Sequence, residues 1–70
     1  MPTGLMRSRL TTLKMYLDNE SLTGDTRRRA VAYQVRAILH GLDDELEQDR
    51  GAILDYLRLL GFSDLIAEYR

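Results

Sequence analysis

The chain has no cysteine, no tryptophan, one proline and one histidine among its 70 residues. Without thiols there is no disulfide framework, no Cys-based metal site and no thiolate nucleophile. His40 has Asp44 one helical turn later, but one imidazole and one carboxylate are a weak ligand set for a transition metal. His40 therefore reads as a half-exposed helix residue, and neither a metal nor any other cofactor is expected. No apolar run approaches the roughly 18 residues needed to span a bilayer. The first residues lack the charged and apolar regions of a secretory signal. The expectation is a cytoplasmic protein, in which the sequon Asn19-Glu20-Ser21 arises by chance.

The groups that catalysis uses are equally scarce. In Asp43-Asp44-Glu45-Leu46-Glu47-Gln48-Asp49, helical spacing places Asp43 with Glu47 and Glu45 with Asp49. Carboxylate pairs do acid–base work only where burial separates their proton affinities, and a strongly acidic helix reads instead as charged surface. The stretch from Asp18 has the look of a calcium loop, but its glycine, Gly24, falls one place late. Its twelfth position is Arg29 rather than glutamate, so the loop fails. No Gly-x-x-x-x-Gly-Lys occurs, and Ser8, Ser21 and Ser63 have no base placed beside them by sequence. The chain is expected not to be an enzyme.

What remains is an ordinary folded composition: 44% apolar, 30% charged, net charge −1. A domain of this size buries only about 60% of its unfolded surface. With no disulfide or metal to staple it, idealised helix packing or self-association must complete the core.

Apolar spacing predicts helix nearly throughout, so the fold class is all-α: a small helical bundle or helical hairpin forming one domain over 1–70. Met6, Leu10, Leu13 and Leu17 recur at one helical stripe, predicting a first helix over about 4–19 capped by Thr3. Leu22 reads as a plug beneath the bundle. A second helix is predicted over about 26–48, capped by Asp25 or Thr26. It either continues to 60 as a rod of about 50 Å or hinges near 49–51, at Asp49-Arg50-Gly51; a hinge is favoured. Leu39, Leu46, Ile53 and Leu60 fall at seven-residue intervals, with Val35, Leu42 and Tyr56 at companion positions, which resembles a heptad seam. Gly61 suits the left-handed position after a helix, with Phe62 folding back on Leu57. Ser63 then caps a short last helix over about 64–70.

The small net charge conceals two opposed halves. Residues 1–36 carry seven cations against three anions, +4; residues 37–70 carry three against eight, −5. If the second helix pairs with its own copy about Leu42, then Val31, Val35, Ile38, Leu42, Leu46 and Ile53 form the seam. Arg29 then lies near Asp55 and Arg36 near Asp49. This predicts completion by an antiparallel homodimer; the other arrangement is a monomeric bundle in which opposite charges meet within one chain. Arg27-Arg28-Arg29 is the oddest local feature, because cations in a first helical turn oppose the helix dipole by about 0.3–1 kcal/mol each. Compensation is expected from a carboxylate cluster, a phosphate or an acidic partner.

The functional expectation is a small dimeric protein-binding module, an adaptor, regulator or inhibitor. Compact proteins of this class include phage and mobile-element products that block a host regulator or motor, and assembly chaperones. Arg27, Arg28, Tyr33, Tyr16 and Tyr69 are the candidate partner-binding residues, since Tyr and Arg supply large contacts at interface centres. The first alternative is a nucleic-acid-binding transcriptional regulator using the helix Arg27–Arg36, against which the acidic stretch would repel phosphate. The second is a structural coiled-coil or assembly scaffold, which requires an unbroken helix through Gly51. The expected partners are thus a second copy and another protein, with nucleic acid as the competing class and no membrane.

At the end of the chain, Leu57-Arg58-Leu59-Leu60-Gly61-Phe62-Ser63-Asp64-Leu65-Ile66-Ala67-Glu68-Tyr69 resembles the opening of a sterile-alpha-motif domain, with its L-x-x-L-G-L-x-x-Y-x-x-x-F pattern. The resemblance covers the last fifth of the sequence, and the rest of such a domain would follow residue 70. Two helices joined by a glycine cap produce the same pattern. No function is carried across from it.

Overall fold

In a computed structural model, residues 2–69 are described, and among them there are four α-helices and no strand. Helix α1 spans Gly4–Asp18, α2 Gly24–His40, α3 Glu47–Leu59 and α4 Ser63–Tyr69; a 3₁₀ turn, Leu42–Asp44, joins α2 to α3. None of these helices is long and apolar enough to cross a membrane.

The first helix begins where its sequence says it should. The Thr3 side chain accepts from the Met6 N–H at 3.2 Å, satisfying one of the amide groups that a helix start leaves without a partner. Helix α2 then runs back antiparallel to α1, so that Met6 and Arg9 near the start of α1 lie over Gly41 at the end of α2. A Cβ at Gly41 would meet the tips of the Arg9 and Met6 side chains, which places the end of α2 close against the start of α1.

The second helical segment departs from the expected hinge. The break falls at 41–46, and Asp49, Arg50 and Gly51 lie inside α3. The reason is electrostatic as well as conformational. Gly41 is a poor helix former, and Asp43 and Asp44 would sit at the negative end of α2's dipole. Glu47 and Asp49 instead occupy the first turn of α3, where negative charge is favourable. At its start, α2 opens at Gly24, two residues ahead of the expected helix, with Thr23 rather than Asp25 or Thr26 at the cap position. The longest dimension of the molecule is 34 Å, well short of a 50 Å rod.

The interruption also resets the helical phase, so the heptad seam is not realised. Leu39 and Ile53 are buried, whereas Leu46 and Leu60 are exposed. Of the residues expected to face a second copy, Val31, Val35, Ile38, Leu42 and Ile53 all lie in the chain's own core, with Met6, Leu13, Leu39, Leu57 and Ile66. Leu46 alone of that set faces solvent. The stripe that was to pair two α2 helices is buried within one chain, where α1 and α4 pack on α2. Burying each large aliphatic side chain is worth about 1.5–3 kcal/mol. Leu22 is half-buried.

The corner between α3 and α4 forms as expected. The Phe62 N–H donates to the Leu57 carbonyl and the Gly61 N–H to Arg58, both at 3.0 Å, the paired bonds of a Schellman motif. Gly61 adopts φ 95°, a conformation that disfavours any residue with a Cβ. Helix α4 starts at Ser63 and folds back on α2, where Tyr69 meets the edge of His40 with ring centroids 5.3 Å apart. Arg36 pairs with Glu68 at 3.7 Å.

Candidate functional site

Folding α4 back over α2 leaves an open groove of about 870 Å³ between the N-terminal half of α2 and the α3–α4 corner. Val31 and Ala32 from α2, Leu60, Phe62 and Leu65 from the corner, and Leu17 from the end of α1 supply apolar walls. Arg28, Arg29 and Arg36 reach the same groove. They do so because positions 28, 32 and 36 repeat every four residues and 29 is offset by one, which places all four on one flank of α2. Ala32, the small member of that stripe, leaves the space that the groove occupies.

The cations are only partly compensated. Arg28 pairs with Asp25 at 3.2 Å, one turn away on α2, and both side chains are largely exposed. Asp64 lies at the opposite wall. Arg29 makes no ion pair among the described residues. Exposed pairs of this kind contribute about 0–1 kcal/mol, and Arg29 is left as the rim arginine without an ion pair among the described residues. The apolar surface continues past the groove onto α3: Tyr56 is one turn before Leu60, and Leu59 is 86% exposed.

Arg27 takes a different part from its neighbours. Its Nη1 donates to the Tyr16 carbonyl at 3.2 Å and its Nη2 to the Leu17 carbonyl at 3.0 Å. These belong to the last turn of α1, where the Tyr16 carbonyl also accepts from the Asn19 N–H at 3.3 Å and the dipole favours a cation. The compensation expected for the arginine triplet is therefore internal for Arg27 and local for Arg28. The acidic stretch does not provide it, because it lies at the other end of α2.

The five candidate binding residues are not brought together. Arg28 lies at the groove and Arg27 also lines it, although its guanidinium is engaged with α1. Tyr16 is half-buried against the core, Tyr69 stands against His40, and Tyr33 is 70% exposed on an outward position of α2. None of the three tyrosines lines the groove. Arg29, Arg36 and the corner residues Leu60, Phe62 and Leu65 line the groove but were not among the five candidate binding residues. The four-residue recurrence Arg28-Ala32-Arg36 was the signal available for them.

One acidic residue is misjudged by sequence in an informative way. Glu45 is not solvated surface: it is 5% exposed. Its Oε1 accepts from the Thr3 N–H and its Oε2 from the Thr3 hydroxyl, both at 2.8 Å. The Arg50 Nη1 donates to the Glu45 carbonyl at 2.8 Å. Asp43, Asp44 and Glu47, its neighbours, are exposed.

Compared with protein-family models, with curated proteins and with solved structures, the chain matches none. The resemblance of Leu57–Tyr69 to a sterile-alpha-motif opening thus rests on a glycine-capped corner between two helices. Among the described residues, no three of His, Asp and Glu gather as a metal-binding group.

Proposed function

We propose that the chain is a non-enzymatic protein-binding module whose groove takes an acidic amphipathic segment of a protein partner. The observation that carries this reading is the groove itself: apolar walls beneath a rim of Arg28, Arg29 and Arg36. A helix with leucines on one side and carboxylates on the other satisfies both features at once, as helix-in-groove recognition requires. Arginine at the rim steers such a ligand and fixes its register. A nucleic-acid reading of Arg27–Arg36 is less well supported, because Arg27 is committed to α1 and the apolar walls beneath the arginines give a phosphate backbone nothing to contact.

Amide-resolved NMR titration tests it. The probes are an amphipathic helical peptide with a leucine face and a glutamate face, its lysine-faced counterpart, and a random DNA duplex. The glutamate peptide is expected to shift the amides of Val31, Ala32, Phe62 and Leu65, and Arg28→Ser with Arg29→Ser is expected to remove most of that shift. Equal response to the lysine peptide, or shifts confined to the outer face of α1, would refute the reading. Tight duplex binding at low salt would replace it with the nucleic-acid one.

A further inference from the structure

We infer that copies of this chain associate head to tail, the corner of one that is led by Leu46 seating in the arginine-rimmed groove of the next. The inference rests on the groove reading above and names its occupant as a second copy. Leu46 stands at the N-terminal end of α3 with extended backbone (φ −64°, ψ 149°). It is 63% exposed, a large apolar side chain with the exposed Asp43, Asp44 and Glu47 as near neighbours in sequence. These three carboxylates make no ion pair among the described residues. This knob, an exposed leucine beside carboxylates unpaired among the described residues, is complementary to an apolar groove at which Arg29 is likewise unpaired.

The corner is held in shape before it meets anything. The Glu45 carboxylate is fixed on Thr3, and Arg50 holds the Glu45 carbonyl. The Glu45 N–H donates to Leu42 at 3.0 Å and the Arg50 N–H to Leu46 at 2.9 Å. A pre-organised ligand loses little conformational freedom on binding.

Within one chain the knob and the groove cannot meet. Between Arg28 and His40, α2 rises about 18 Å, more than twice the Debye length of about 8 Å at physiological ionic strength. The two surfaces share no residue, so each copy offers both at once. Two different surfaces on one molecule generate open chains, or rings if the rotation closes. A groove of this size buries less area than a permanent interface does, which makes the association weak and concentration-dependent.

Sedimentation velocity on the full chain tests this across micromolar to millimolar concentrations, at low and high salt. The wild type is expected to grow beyond two copies with concentration and to lose association several-fold as salt rises. Arg28→Ser with Arg29→Ser removes the rim, and Leu46→Ser removes the knob; all three positions are exposed, and circular dichroism checks that each variant stays folded. Each variant alone is expected to stay monomeric. Mixed in equal amounts, they are expected to form two-chain species and nothing larger, because only one intact groove and one intact knob remain per pair. A mixture that gives no two-chain species, or variants that associate as the wild type does, would overturn the inference. A wild type that stays monomeric but binds the glutamate-faced peptide overturns self-association alone. A wild type that does neither overturns the groove reading as well.

Discussion

Replacing Glu45 by alanine is expected to destabilise the protein more than replacing its exposed neighbours Asp43, Asp44 or Glu47. The carboxylate accepts two hydrogen bonds from Thr3, each 2.8 Å long, and hydrogen bonds to charged groups contribute about 1.5–3 kcal/mol each. Thr3 itself is exposed, so water replaces part of what is lost. The net loss is then about 2–3 kcal/mol, a large fraction of the roughly 0.05–0.15 kcal/mol per residue that holds a domain folded. For a domain of this size, that lowers the melting temperature by about 10–20 °C. Urea unfolding followed by circular dichroism reads it directly, with a lowered midpoint and an unchanged slope. Glu45→Gln keeps one acceptor and is expected to recover about half the loss. In a double-mutant cycle with Thr3→Val, the coupling is expected to exceed about 1 kcal/mol. The reasoning fails if Glu45→Ala costs less than about 0.5 kcal/mol, the range of surface substitutions such as Glu47→Ala.

Two further outcomes separate structural positions from binding ones. Arg27→Ala is expected to cost about 1–2 kcal/mol, because it removes two charge-assisted hydrogen bonds to the Tyr16 and Leu17 carbonyls, while Arg28→Ala and Arg29→Ala stay within about 0.5 kcal/mol; thermal melts of the three variants check this, and equal costs would remove the distinction. Gly61→Ala is expected to cost about 1–2 kcal/mol, since φ 95° is unfavourable for an L side chain. A chemical denaturation midpoint equal to that of the wild type would mean that the corner re-forms without a left-handed residue.

How much of this was legible depends on the range of the interaction. The Thr3 cap, the Gly61 corner and the stripe Met6, Leu10, Leu13, Leu17 depend on neighbours within a turn or two, and periodicity reveals such features. The expected position of the helix break misreads local pattern: Gly41 with Asp43 and Asp44 is at least as poor a helix composition as Asp49-Arg50-Gly51, and Asp49 is favourable in a first turn. The heptad spacing from Leu39 to Leu60 misled because the connection at 41–46 shifts the phase, and the spacing in sequence survives while the shared face does not. At the groove, the arginines were visible as a triplet, but their division of labour was not. Nothing local distinguishes Arg27, which reaches back ten and eleven residues to α1, from Arg29, which does not.

The segregation of charge along the sequence has a structural origin that the whole-chain balance conceals. Because α2 runs antiparallel to α1, its basic start lies beside the C-terminal end of α1, and the acidic stretch after it lies beside the N-terminal end. Each end of α1 then receives a side chain of the sign its dipole favours: Arg27 on the Tyr16 and Leu17 carbonyls, Glu45 on the Thr3 N–H. In a capping box the second of these contacts comes from a glutamate three residues after the cap. Here that position is Met6, a core residue, and the carboxylate arrives from 42 residues away. The substitution ties a helix end to the α2–α3 connection and makes a local cap into a tertiary one. The helix ends need one cation and one anion, and Arg28, Arg29, Asp43, Asp44 and Glu47 stay exposed at opposite ends of α2.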